Sequence, residues 1–246
     1  MKIGIIGCGA IGTLIAESVE NGIVKCDGLI LYDSDVSRSA NLKKLLYIPI
    51  IVVESVEEMI GLRPVVIVEA ASQIAAKQYV SKVLGADIDL IVMSVGALLD
   101  LDVQSSKLHV PSGAIGGIDA IDAASLVGVT DVTLTTRKNP KVLDMDNREE
   151  KTVYEGDAKE AVKRFPREMN VAARLALAVK PVEVKVQVVS DPKVDRNVHE
   201  VNVKWKHGDM WLRFSNEPHP ANPKTSALAA WSAISLLKKI LGDRQV

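Results

Sequence analysis

The chain has 246 residues, 48% hydrophobic and 25% charged, with 30 basic and 31 acidic residues and a formal net charge of -1. That length suits one large α/β domain or two smaller ones, and the balanced charge gives no general attraction to nucleic acid or to an anionic membrane. Cys8 and Cys26 stand outside any CxxC or Cys/His cluster, which argues against a metal site. The N-terminal apolar run is broken by glycines and soon followed by Glu17 and Glu20, and no run approaches the ~18 apolar residues of a membrane span, so a cytoplasmic protein is expected.

Residues 2–6, KIGII, read as a short apolar strand, followed by a glycine-rich turn and a helix to about Val19. GLILYD (28–33) reads as a strand, SRSANLKKLL as a helix and IPIIVV as a strand. SVEEMI places Ser55 and Glu58 at capping-box spacing, which predicts a short helix. PVVIVEAA is a continuous buried strand, QIAAKQYVSKVLGA a helix ending near Gly85, and DLIVMSVGAL a further strand. Strands alternating with helices predict a parallel, doubly wound sheet, and near-continuous apolar runs suit strands covered on both faces.

After Pro111 the pattern changes. Residues 112–127 are rich in Gly and Ala and open a helix. VTDVTLTTRK, EVKVQVVSD and VHEVNVKWKHGDMWLRFS alternate apolar and polar positions, as an antiparallel sheet with one covered face does. Residues 158–179 are helical by period, and TSALAAWSAISLLKKIL is an amphipathic helix. The expected fold is α/β: an N-terminal Rossmann-type parallel sheet over residues 1–110, then a C-terminal α+β domain over 111–221 with a mainly antiparallel sheet. The terminal helix, 222–241, is expected to pack back on the first domain.

The stretch IGIIGCGAIG carries Gly7, Gly9 and Gly12 as a GxGxxG between a strand and a helix, with Ala10 and Ile11 opening that helix. Gly7 permits the tight turn, Gly9 lets backbone approach a pyrophosphate, and Gly12 lets helix and strand pack closely. The helix N-terminus offers N–H donors to phosphate. Asp33 ends the next strand, close to the spacing of about 20 residues at which an acidic group accepts from ribose hydroxyls. It favours NAD, and Arg38 nearby leaves NADP open. Ala70 and Ala71 in EAASQ, and Ser94 and Gly96 in SVGAL, are small residues at carboxyl ends of strands, where ligands of open α/β sheets bind; ordinary strand-to-helix punctuation explains them as well.

Four later segments offer substrate chemistry: Ser112 in PSGAIGG, Asn170 in FPREMNVAA, Asn197 and His199 in DRNVHEV, and Lys224, Thr225 and Ser226 in NPKTS, which reads as a turn opening the final helix. Each has a bland alternative: a flexible linker, a helix cap, a packed core histidine, another cap. His109 in a polar connection, His207 in the hairpin turn KHGD and His219 between prolines are weaker candidates. Residue types and spacing alone point to an NAD-dependent enzyme of unknown substrate.

The segments GCGAIG, VEAASQ, MSVGAL, PSGAIGGIDAI, TTRKNP, YEGDAKEAVKRFPREMNVAA, DRNVHEV and NPKTS, in that order, make the chain resemble the L-aspartate dehydrogenases over nearly its whole length. The resemblance implies oxidative deamination of L-aspartate to oxaloacetate and ammonia through iminoaspartate, or the reverse, with iminoaspartate feeding NAD biosynthesis. It implies that His199 is the catalytic histidine and that Ala114 and Asn170 contact the cofactor. EMN before VAA departs from the more polar stretch expected there. Ser112, Asn197, Lys224, Thr225 and Ser226 are the substrate-binding candidates on chemistry alone. An imidazole with an unperturbed pKa near 6.5 would serve as general base and acid near neutral pH. A homodimer is expected. The competing readings are another two-domain NAD(P) oxidoreductase, of dihydrodipicolinate reductase or homoserine dehydrogenase type, and a non-catalytic NAD-binding sensor.

Overall fold

The computed structural model describes residues 1–166, 168–219 and 222–242, with the side chains of 222–224 outside that description. The chain divides into two compact units, one of Met1–Pro111 together with the segment from Ala230 onward, the other of Ser112–Ala229.

The first unit runs β1 (Lys2–Ile6), α1 (Ala10–Glu20), β2 (Gly28–Tyr32), α2 (Val36–Leu45), β3 (Ile50–Val52), α3 (Val56–Gly61), β4 (Val66–Glu69), α4 (Gln73–Gly85), β5 (Asp89–Val92) and β6 (Leu108–His109). Its strands lie in the order β3-β2-β1-β4-β5-β6 and every pairing is parallel. Ile3, Ile5, Leu29, Ile30, Leu31, Val66, Ile67, Val68 and Ile91 are fully buried, on both faces of the sheet, which is why the strand sequences lack polar alternation. Capping follows the local sequence: the Ser55 hydroxyl accepts from Glu58 N–H at 3.1 Å, and Glu58 Oε2 accepts from Glu54 N–H at 3.0 Å. Ser72 caps α4 by accepting from Ala75 N–H at 3.2 Å.

Two expectations in this unit change. The run DLIVMSVGAL is a strand only to Val92; Val95–Leu99 form a 3-10 helix. Ser94 N–H donates to the Glu69 carboxylate rather than to a neighbouring strand, so the ladder stops there. His109, expected in a connection, lies in β6, its Nε2 2.6 Å from Asp89 Oδ1.

The second unit runs α5 (Ile118–Ser125), β7 (Val129–Lys138), a 3-10 turn (Pro140–Leu143), β8 (Lys151–Asp157), α6 (Ala158–Arg164), α7 (Asn170–Ala178), β9 (Val184–Ser190), β10 (Asn197–Trp205), β11 (Gly208–Asn216), β12 (Pro218–His219) and β13 (Asn222–Ser226). The sheet order is β11-β10-β7-β9-β8, antiparallel except for the parallel β7–β9 pair. Val132, Leu134, Val184, Val186, Val188, Val201 and Val203 are buried; they share one face by the two-residue period of strands. Helices α6 and α7 pack on β9 and α5 packs on β10.

The predicted single helix over 158–179 is two helices. Pro166 lacks an N–H and pushes its predecessor out of helical backbone; Phe165 has φ -129° and ψ 65°. The strand β8 was not anticipated. NPKTS is not a turn: Asn222–Ser226 pairs antiparallel with β12, and the last helix, α8 (Ala227–Ile240), starts after it. His219 accordingly sits in a short strand, while residues 206–207 form the tip of the β10–β11 hairpin as predicted.

Candidate active site

The first unit carries a cleft of about 330 Å³ beyond the carboxyl ends of β1, β2 and β4, lined by Gly7, Gly9, Asp33, Arg38, Ala70 and Ala71 among others. Its geometry follows from three glycines. Gly7 has φ 95°, and a Cβ there would lie 2.7 Å from Ala71 Cα. A Cβ at Gly12 would collide with the Gly7 carbonyl oxygen, so only glycine lets α1 start this close to β1. A Cβ added at Gly9 would meet nothing within 4 Å beyond its own stretch of chain. Gly9 is the N-cap of α1 and offers no side-chain cap, so the first N–H groups of Ala10, Ile11 and Gly12 are available to an anion. Open space at Gly9, a positive helix end and a carboxylate at the next strand fit a dinucleotide.

Asp33 Oδ2 accepts from Cys8 N–H at 2.7 Å and Oδ1 accepts from Asp35 N–H at 2.9 Å. This fixes the carboxylate against the glycine loop. Arg38, also on the cleft, pairs with Asp35 at 3.5 Å. Burial, then the Asp33 charge, pushes the Cys8 thiol up to about 12, which keeps it an inert thiol.

Ala70 N–H donates to the Ile6 carbonyl at 2.8 Å, and Ala71 and Ser72 are held by a residue the sequence reading passed over, Glu69. This side chain is 1% exposed. Its Oε1 accepts from Ala71 N–H, Ser72 N–H and the Ser94 hydroxyl at 2.9, 3.0 and 3.0 Å, and its Oε2 accepts from Ser94 N–H at 3.0 Å. Burial raises its pKa, and the four donors pull the other way. Ser94 and Gly96 are both buried, Ser94 at the clasp and Gly96 in the 3-10 helix that follows.

In the second unit the inward face of the sheet turns from apolar to polar at one end. Thr136, Lys138, Ser190, Asn197 and His199 are all buried there, at 0, 2, 0, 2 and 3% exposure. His199 on β10 pairs in register with Thr136 on β7, and Thr136 Oγ1 lies 3.1 Å from His199 Nδ1. Lys138, two residues along the same face, pairs in register with Ser190 on β9. The neighbouring Arg137 points to the opposite face, where Glu150, Glu200 and Asp191 lie 2.8, 3.5 and 3.8 Å away. The unperturbed imidazole foreseen from the sequence is not what the fold provides. Burial, and secondarily the Lys138 charge, drive the His199 pKa down to about 3, so the ring is neutral at physiological pH.

The loop 112–117 is anchored over this sheet. Asn216, paired with Asn197 across the β10–β11 ladder, donates to the Ala114 carbonyl at 2.8 Å. A Cβ on Gly116 would meet the Phe214 ring at 3.4 Å, and one on Gly117 would meet Leu212 at 2.9 Å. Ser112 and Ala114 thus lie in a loop fastened to β11. Asn170 is the first residue of α7 and is half-buried. Strand β13 packs against the turn Pro140–Leu143 that follows Lys138; this brings the element carrying Thr225 and Ser226 to the same end of the sheet, with Ser226 buried. The Lys224 side chain lies outside the described residues.

Lys138, Thr136 and Asn216 escaped the sequence reading although TTRKNP was singled out. The usable signal was the two-residue period, which puts positions 136 and 138 on one face of the strand.

Residues 119–240 match the family model described as aspartate dehydrogenase, C-terminal, and residues 7–110 match the model described as homoserine dehydrogenase, NAD binding domain. An L-aspartate dehydrogenase of Methanothermobacter thermautotrophicus is 42% identical over 252 residues, covering 98% of this chain and 96% of that one. An L-aspartate dehydrogenase of Methanosarcina mazei is 41% identical over 269 residues, covering 100% and 99%. The crystal structure of aspartate dehydrogenase from Thermotoga maritima superposes with a TM-score of 0.79 at 26% identity, covering 100% and 99%. With a glycine-loop cleft in one unit, a buried histidine in the other and relatives matched end to end, the chain belongs to the L-aspartate dehydrogenase family.

Proposed function

We propose that the protein catalyses the oxidative deamination of L-aspartate to oxaloacetate and ammonia through iminoaspartate, or the reverse amination. The observation that carries the reading is the neutral, buried His199 within a fully buried polar set, in a chain related over its whole length to L-aspartate dehydrogenases.

Gly7, Gly9 and the first N–H groups of α1, at Ala10, Ile11 and Gly12, would hold the pyrophosphate of a dinucleotide, and Asp33 its ribose hydroxyls, favouring NAD; Arg38 keeps NADP within reach. Ala70, Ala71, Ser94, Gly96, Ala114 and Asn170 complete the proposed cofactor set, and Ser112, Asn197, Lys224, Thr225 and Ser226 the substrate set. When bound, the nicotinamide supplies the hydride acceptor. The chain supplies proton handling. With Nδ1–H donated to Thr136, His199 Nε2 carries the lone pair. A substrate carboxylate bound beside the ring would oppose the burial and the Lys138 charge and raise its pKa; Nε2 then takes a proton from the water that attacks the imine carbon and returns it to the departing ammonia. Iminoaspartate released before hydrolysis would feed NAD biosynthesis, and the working form is taken as a homodimer.

The test is to mix the protein with NAD or NADP and a panel of L-amino acids and follow absorbance of the reduced nicotinamide. Reduction with L-aspartate alone supports the proposal. NAD binding without turnover of any amino acid overturns it in favour of a sensor, and turnover of homoserine moves it to another dehydrogenase class. His199→Ala should lower kcat by roughly a hundredfold or more with NAD affinity unchanged.

A further inference from the structure

Lys138 is among the largest side chains in the protein that are fully buried. Lysines almost never occupy such positions without a charge or hydrogen-bond reason, because removing an ammonium from water costs several kcal/mol. Strand alternation offered an easier arrangement: Arg137, one residue earlier, reaches the ionic face of the sheet with Glu150 and Glu200. Lys138 instead faces inward with Ser190 across on β9, Thr136 two residues before it and Asn197 and His199 on β10. Its charge is felt at the imidazole, where it disfavours protonation. A desolvated cation among hydroxyls and an amide, beside a neutral imidazole, is the chemistry of a carboxylate site. A substrate with two carboxylates brings one anion more than an ordinary amino acid does.

We propose that Lys138 receives one carboxylate of the dicarboxylic substrate beside His199 and so sets the preference for a dicarboxylic over a monocarboxylic amino acid. This rests on the L-aspartate reading above. The substrate-side lysine chosen from the sequence was Lys224; the buried face of β7 supplies a different one.

Succinate, an unreactive dicarboxylate, is the probe, titrated calorimetrically into the NAD-loaded protein. Lys138→Met keeps chain length and apolar bulk and removes the charge. It should weaken succinate binding and raise the KM for L-aspartate by about 30-fold or more, the range seen when one partner of a buried charge pair is truncated. NAD affinity should stay within twofold. Lys138→Arg should recover most of the succinate affinity. A folded, NAD-binding Lys138→Met protein that binds succinate as the wild type does overturns the proposal. If that variant does not fold, wild-type protein carrying 13C at lysine Cε decides. The Lys138 resonance, assigned by its absence in Lys138→Arg, must shift with succinate and not with propionamide; no shift overturns the proposal. The two readings fail separately. Succinate binding through Lys138 without aspartate turnover sinks the dehydrogenase reading and keeps the anion site. Aspartate turnover with an unchanged KM in Lys138→Met does the reverse.

Discussion

The Glu69 carboxylate, at the end of β4, accepts both the backbone N–H and the hydroxyl of Ser94 at the end of β5, each at 3.0 Å. One side chain therefore ties together the two loops that carry Ala71 and Ser94 of the proposed cofactor set. Glutamine at position 69 is nearly isosteric, but its amide nitrogen would confront donors on at least one side. Glu69→Gln should cost about 1–3 kcal/mol through the unsatisfied donors and weaken NAD binding, while Ser94→Ala, which leaves the backbone contact, costs about half as much. Thermal melting and NAD titration on both variants check the order; equal effects would show that the carboxylate is not the clasp.

The glycine loop separates steric from ligand constraints. A methyl at Gly12 meets the Gly7 carbonyl oxygen, whereas one at Gly9 meets open space. Gly12→Ala should therefore be destabilising by about 1–3 kcal/mol, as overpacking is. Gly9→Ala should melt like the parent yet bind NAD at least tenfold more weakly, since its methyl enters the space assigned to the pyrophosphate. Normal NAD affinity in Gly9→Ala would move the phosphates elsewhere.

Asp33 accepts from Cys8 N–H on one oxygen and from Asp35 N–H on the other, so Asn keeps its outline but removes the charge and gives up one of these two hydrogen bonds, the more exposed one to Asp35. Hydrogen bonds to charged groups contribute about 1.5–3 kcal/mol. Asp33→Asn should thus raise the NADP-to-NAD ratio of kcat/KM by roughly tenfold to a hundredfold, the factor those energies correspond to. An unchanged ratio would leave the choice of cofactor to Arg38 and its surroundings.

His199 links stability to pH with a definite sign. Its pKa is about 3 in the folded chain and near 6.5 when unfolded. Between those values the unfolded chain holds a proton that the folded chain does not, so stability rises with pH. The contribution is fully present above about pH 6.5 and drains away as pH falls toward 3. On going from pH 7.5 to 4.5 the parent should lose roughly 2–3 kcal/mol more than His199→Gln. Urea midpoints of both proteins at the two pH values measure it, and parallel losses would mean that the ring is protonated in the fold.

The legible parts of this protein were the local ones. Gly7, Gly9 and Gly12 could be read because strand, turn and helix follow one another directly, and Ser55 because its cap partner is three residues away. His199 was visible as an odd residue in an apolar strand. Its surroundings were not, because Thr136 meets it, and Ser190 meets Lys138, only through pairings between segments far apart in the chain, and TTRKNP shows Lys138 turning inward only when the alternation is carried in from Val132 and Leu134 upstream. The reading of 158–179 as one helix put period above the proline at 166, and that of SVGAL as strand missed a carboxylate that captures the next ladder donor. NPKTS resembles a helix cap in composition, but β12 offers its backbone a partner.

The β7–β10 ladder keeps strict step from Arg137–Val198 to Lys204–Asp131 and loses it only between Lys204 and Trp205, beside the hairpin tip. Chain-length changes are therefore unequal in their consequences. One residue added between Val201 and Val203 would rotate the imidazole and Val201 onto the side of Arg137 and turn Glu200 inward, because side chains swap faces with every single-residue slip. The same addition at Lys206–His207 would be taken up where step is already lost. Natural or engineered length variation in this strand pair should accumulate at that tip and spare the stretch before it.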